Sequence, residues 1–161
     1  MKIISLLLLI CLFSSSCNET IPFDEAAETA KILEIHHQQR DNHFNKDSIA
    51  FLSHLSDNFI SVNRGVISQP TREATLSRFH NYFSSVDFIK WDDVSEPIIR
   101  FSEDGSLAYS IVDKIVEVSY PDEEGESYQS ATHFAWTAIY KNYDGVWKID
   151  CVTSTERPTS D

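Results

Sequence analysis

Cysteine, glycine and positive charge are all scarce in this chain, and each shortage removes a class of protein. Its 161 residues include three cysteines, four glycines and five prolines. The cysteines are Cys11, Cys17 and Cys151. They cannot build a disulfide framework, and their spacing matches no metal knuckle. There is no phosphate-cradling Gly-rich loop, dinucleotide fingerprint or nucleophile elbow, so no cofactor is expected. Lys and Arg number 13 against 25 Asp and Glu, a formal net charge of −12. Such a field repels phosphate backbones and anionic headgroups, so nucleic acid is not an expected partner. No apolar run reaches the roughly 20 residues that a bilayer-spanning helix needs.

What is present begins with a leader. Lys2 precedes an apolar run from Ile3 to Phe13, interrupted only by Ser5, and Ser14, Ser15, Ser16 and Cys17 follow. A charged start, a short apolar middle and small residues at the end read as a cleaved export signal. The arrangement resembles a bacterial lipoprotein signal, in which the cysteine is acylated and becomes the new N-terminus. That pattern usually carries Leu or a similar residue three places before the cysteine, where this chain has Ser14. The expected organisation is a signal over 1–17, a tether over 18–22 and one domain over 23–158. The expected location is across the cytoplasmic membrane, lipid-anchored at Cys17 in the cell envelope.

Along the domain, Ala26, Ala30, Leu33, His37 and Phe44 recur at helical spacing and predict a long first helix from Phe23 to about Asn45. Asp47 or Ser48 can cap a second helix with the stripe Ile49, Leu52 and Leu55. Strands are expected around Phe59–Val62 and Val66–Ile67, with Arg64-Gly65 as the turn. Thr71 can cap a third helix, with Leu76, Phe79, His80 and Phe83 on one face. Strands then follow near Val86–Trp91, Ile98–Phe101, Leu107–Ser119, Tyr128–Tyr140 and Val146–Thr155. Turn signals at Asp104-Gly105, an acidic loop from Pro121 to Gly125, and Asp144-Gly145 separate them. Helices first and an antiparallel meander after them make an α+β domain, with the helices on one face of the sheet.

This order of elements resembles the nuclear-transport-factor-2-like superfamily, also called SnoaL-like or cystatin-like. The resemblance spans nearly the whole chain after the leader. It is carried by Asp57-Asn58-Phe59 at the helix-to-strand passage, by the closing hairpin through Trp136–Tyr140, Asp144-Gly145 and Trp147-Lys148-Ile149, and by the ending Val152-Thr153-Ser154-Thr155. It implies a cone-shaped curved antiparallel sheet around the first helix, with a pocket at the open end. It also implies that a homodimer through the outer sheet surface is a reasonable default. The superfamily includes isomerases, dehydratases and cyclases as well as binding and dimerisation modules, so the fold does not choose.

Pairing Tyr140 with Trp147 would place Phe134, Trp136, Ala138, Ile149, Cys151 and Thr153 on one apolar face toward the helices, lining any pocket. His133, Thr137, Lys148, Asp150 and Ser154 would lie on the other face. Tyr109, Asp113, His80 and Thr153 are the polar candidates for that pocket. Asp113 interrupts the apolar row Tyr109, Ile111 and Ile115, where burial would raise its pKa and suit it to acid–base work. A solvent-facing carboxylate near Lys114 is the plainer alternative. His80 could shuttle a proton at the pocket mouth or be a satisfied core residue. Cys151 reads as a small buried hydrophobe and Trp136 as a core anchor. His36, His37 and His43 cluster on the first helix without metal-ligand spacing, so no metal is expected. The favoured function is a cell-envelope module binding a small apolar ligand or a protein partner. The alternative is a cofactor-independent isomerase, dehydratase or cyclase with Asp113 and His80 as its catalytic groups.

Overall fold

The computed structural model describes residues 23–121 and 127–158. The leader, the tether, Cys17 and the middle of the acidic loop lie outside the described residues. Three helices come first: α1 (Glu25–Phe44), α2 (Ser48–Ser53) and α3 (Arg72–Ser85). Each starts on an oxygen-bearing side chain that accepts an otherwise orphaned amide. Asp24 accepts from the Ala27 amide at 3.1 Å, Asp47 from Ala50 at 2.9 Å and Thr71 from Ala74 at 3.2 Å.

The strands are β1 (Leu55–Asn63), β2 (Val66–Ser68), β3 (Asp87–Asp93), β4 (Ile98–Phe101), β5 (Leu107–Pro121), β6 (Ser127–Tyr143) and β7 (Val146–Pro158). Leu55 opens β1 instead of closing the second helix. The sheet order is β2-β1-β7-β6-β5-β3, with β4 sharing the β3 edge of β5. It is α+β as expected, but the sheet is mixed. β1 runs parallel to β7, so the last strand inserts between the first strand and β6. Two hairpins turn through two residues in the left-handed region, Arg64-Gly65 at φ 48° and 78° and Asp144-Gly145 at φ 53° and 90°. That geometry matches the right-handed twist of the flanking strands.

The helices cover the inner face. Ile32, Phe51, Leu52, Leu55, Phe59 and Phe83 meet Ile99, Ala108, Ala138, Tyr140, Trp147 and Ile149 in the main core. A second cluster of Val86, Trp91, Val116 and Val118 lies toward the other end of the sheet. The start of α1 is held by Trp147, whose indole Nε1 donates to Glu28 at 2.6 Å, and by Phe23, whose ring packs on Phe101. Gly105, at φ 66°, admits that ring, because a Cβ there would lie 2.5 Å from it.

Two expected faces change. On α1 the buried stripe is Ile32, His36, Gln39 and His43, while Ala26, Ala30 and His37 point outward. Hydrophobic spacing missed this because three of these four residues are polar, as is Asn42, the fifth buried position. In the closing hairpin Tyr140 pairs with Ile149 and Asn142 with Trp147. Asp150 is then an extra residue between Ile149 and Cys151, a bulge that reverses the alternation of β7. Val152 and Ser154 therefore share the inner face with Ala138 and Trp136, and Cys151 and Thr153 are moved to the outer face opposite Ile139 and Thr137. The Asp150 carboxylate accepts from Ser56 Oγ at 2.7 Å and from the Tyr143 hydroxyl at 3.0 Å, which fixes the bulge against β1 and the turn.

Candidate functional site

β5 decides what each face of the sheet offers. Its buried row is Ala108, Ser110, Val112, Lys114, Val116 and Val118, and its outward row is Tyr109, Ile111, Asp113, Ile115 and Glu117. Tyr109 and Asp113 thus face away from the helices, contrary to the expected arrangement. Both rows are largely apolar, so alternation alone could not orient the strand. The buried row contains a lysine, which composition would have put outside.

Lys114 is 1% exposed. Its Nζ lies 2.7 Å from Asp93 Oδ1 and 3.6 Å from the centroid of the Trp91 ring, with Trp136 at 6.0 Å. A charge this deep is tolerable only with a close counter-ion and a polarisable wall. Asp93 supplies the counter-ion from the end of β3. Its other oxygen accepts from His36 Nε2 at 2.9 Å, so the imidazole is protonated on that nitrogen. His36 is 3% exposed, whereas the Asp93 side chain is 27% exposed and brings the trio to solvent. Two helical turns on, His43 stacks on Trp91 at 4.6 Å and donates from Nδ1 to the Gln39 carbonyl at 2.6 Å.

Burial pulls His36 below the usual histidine value, and its bond to Asp93 only partly offsets this. Burial lowers His43 to about 4. Burial also pulls Lys114 below the usual lysine range despite Asp93. For Asp93 burial acts upward, but the bonds from Lys114 and His36 together outweigh it and hold the carboxyl below its ordinary value. Phe134 and Trp136 lie half-buried on the inner face, with Trp136 5.8 Å from Trp91. Sequence reasoning missed this trio, although the spacing of His36, Gln39 and His43 repeats on one helical face.

The outer face carries a second cluster. His133 Nε2 donates to Asp113 Oδ1 in a short contact, and Arg157 Nη2 donates to His133 Nδ1 at 3.2 Å. They border a shallow groove of about 490 Å³, floored by Ile111, Ala135 and Thr155. Asp113 therefore has a histidine partner, but not His80. His80 is exposed on α3, away from the buried stripe of Thr75, Leu76, Phe79 and Phe83. Asp113 and His80 are not brought together, and neither are Tyr109, Cys151 and Thr153 with Phe134 and Trp136.

Two predictions follow from the inner trio. Depressed histidines make the unfolded chain bind protons that the folded chain refuses. Through the histidines, stability is expected to be level between pH 6.5 and 7.5 and to fall as pH drops toward 4, by up to roughly 1.4 kcal/mol per pH unit for each histidine involved. Denaturant titrations at pH 7.5, 6 and 5 check this, and His43→Phe should flatten the slope; equal stability at pH 7.5 and 5 would contradict it. Asp93→Asn should cost about 3 kcal/mol by stranding Lys114, whereas Lys114→Met should cost less than about 1 kcal/mol because Asp93 keeps His36 and water. Equal losses in the two variants would show that the pair is not coupled in this way.

No protein-family model matches the sequence, and no curated protein sequence does. Solved structures do match. A protein from Exiguobacterium sibiricum, named as a candidate Ca/calmodulin-dependent kinase II association domain, aligns at 14% identity and TM-score 0.66, over 86% of this chain and 99% of that one. A nuclear-transport-factor-2-like protein from Cytophaga hutchinsonii aligns at 16% identity and TM-score 0.62, over 84% and 100%. A hexachlorocyclohexane dehydrochlorinase from Novosphingobium barchaimii aligns at 17% identity and TM-score 0.62, over 84% and 92%. At these identities the likeness fixes architecture and leaves activity open. The chain has the nuclear-transport-factor-2-like fold.

Proposed function

We propose that this chain is a lipid-anchored module of the bacterial cell envelope that associates with a second copy of itself through the outer face of its sheet. The observation that carries this reading is the apolar composition of that face. Across the sheet, Arg100, Tyr109, Ile139, Cys151 and Ile60 form one row, and Ile98, Ile111, Thr137, Thr153 and Val62 form the next. Tyr109 is 41% exposed, Ile111 45% and Ile98 49%. Five strands at about 4.8 Å spacing make the patch roughly 20 Å wide, larger than scattered surface apolar residues explain.

Charge supports a like partner. Two copies of so acidic a chain repel each other at most surfaces. Around the two apolar rows Arg100 and Lys141 add positive charge to an acidic chain, so self-contact here meets less of the general repulsion. One similar structure is named as a candidate association domain, which fits the reading. The anchoring half rests on Lys2, the apolar leader and Cys17. Sedimentation of a chain beginning at Asn18 should show a dimer at micromolar concentration, and Ile111→Glu with Ile139→Glu should give a folded monomer. A monomeric parent chain, or a dimer indifferent to both substitutions, would refute the interface. Mass spectrometry of the natural N-terminus should find an acylated Cys17.

A second reading, cofactor-independent proton transfer as in an isomerase or dehydratase, is favoured by one observation: Asp93 reaches solvent between a buried cation and a neutral imidazole. A carboxylate so placed can take a proton from carbon when a substrate carbonyl is polarised nearby. In D2O the parent chain should then exchange α-protons of small apolar ketones, followed by NMR, and Asp93→Asn should abolish the exchange. No exchange across such a panel would remove this reading.

A further inference from the structure

The outer groove carries charges that the self-association surface does not use. Arg157 donates to the Nδ1 of His133, so that nitrogen accepts and the ring's proton sits on Nε2, toward Asp113. The histidine thus stands between an anion and a cation and keeps them apart. Among the described residues the Asp113 carboxylate has this imidazole as its one side-chain partner, and the side chain is 43% exposed. Arg157 has no carboxylate within ion-pair distance among the described residues. Its neighbour Glu156 is taken by Arg64 from the β1–β2 turn. Ala135 and Thr155 lie between the two charges, and Ile111 adjoins Asp113 on the side away from Arg157. Thr155 spends its hydroxyl proton on the Ala135 carbonyl at 3.1 Å.

An exposed cation and anion held apart on a rigid sheet, flanking a small apolar floor, complement a ligand with the opposite pattern. We propose that this groove binds a small zwitterion, its carboxylate or phosphate on Arg157, its ammonium on Asp113 and its short apolar body over Ala135 and toward Ile111. The groove volume of about 490 Å³ lies within the range of small-molecule sites and is ample for such a body. His133 positions both end groups by holding Asp113 on one nitrogen and Arg157 on the other. Free apolar amino acids and ethanolamine-phosphate headgroups share this chemistry. The groove lies at the polar end of the outer face and shares only Ile111 with the two apolar rows, so the proposal stands apart from self-association.

Isothermal titration of the mature chain with L-leucine and with glycerophosphoethanolamine tests both sources. The controls are 4-methylpentanoate, which lacks the ammonium, and 3-methylbutylamine, which lacks the carboxylate. At least one zwitterion should bind, with Kd on the order of millimolar, and each control should bind at least tenfold more weakly. Arg157→Gln and Asp113→Asn should each weaken the zwitterion at least tenfold, with unchanged circular dichroism. Binding of leucine alone would assign an amino-acid site, and binding of the phosphate compound alone a headgroup site. No binding by either zwitterion would overturn the proposal. So would a control within tenfold of the zwitterion, or indifference to both substitutions. Sedimentation of the same samples reports the oligomeric state separately, so a monomer that still binds leaves the groove in place.

Discussion

A lysine on the buried row of a central strand has to be neutralised where it lies, and much of the inner architecture meets that requirement. Lys114 cannot reach water from the middle of β5, so β3 must end with Asp93 beside it and Trp91 must spread its ring against the ammonium. α1 must then present a donor rather than an aliphatic side chain where it crosses Asp93, and His36 is that donor. Removing the charge from this set is tolerable, whereas removing its answer is not. The arrangement also explains why the buried side of α1 is mostly polar. His36 and His43 are the residues that line up against Asp93 and Trp91, four and seven positions along from Ile32 and His36.

The same interior constrains function. His36, His43, Trp91 and Lys114 are occupied by one another, and Asp93 alone reaches out. Asp113, His133 and Arg157 stand instead on the surface the helices leave bare. There the sheet is rigid, because β5, β6 and β7 pair along almost their whole lengths. Side chains standing on long paired strands hold their spacing without help from loops. That is why the row of isoleucines and the Asp113, His133 and Arg157 series can act as fixed features of one face.

Much of this was legible in the sequence, and the failures have physical causes. Helix starts were readable because Asp47 and Thr71 are side chains that cap by chemistry. The Arg64-Gly65 and Asp144-Gly145 turns were readable because two-residue hairpins demand left-handed backbone. The order of elements was enough to find the architecture. The parallel β1–β7 pair was not readable, since nothing local in Phe59-Ile60-Ser61-Val62 says which distant strand will lie beside it. The bulge at Asp150 was equally silent: Ile-Asp-Cys-Val continues an acceptable alternation, and only Ser56 and Tyr143, remote in sequence or across the turn, show why the strand breaks step there.

The most consequential misreading concerned Asp113 and Lys114, adjacent residues on opposite faces. A strand with Tyr109, Ile111 and Ile115 on one side and Ala108, Val112 and Val116 on the other has two apolar faces. The choice between them is then made by whichever charge can be satisfied inside. Asp113 buried would have needed a cation, and the inner face offers none besides its own neighbour. Lys114 buried finds a carboxylate at the end of β3 and an aromatic wall. The charge that is satisfied inside goes in, and the other is left outside, where His133 and Arg157 meet it. Orientation of β5 by this competition puts the apolar isoleucines on the surface. The proposed self-association face and the proposed zwitterion groove are thus both consequences of where one lysine could be neutralised.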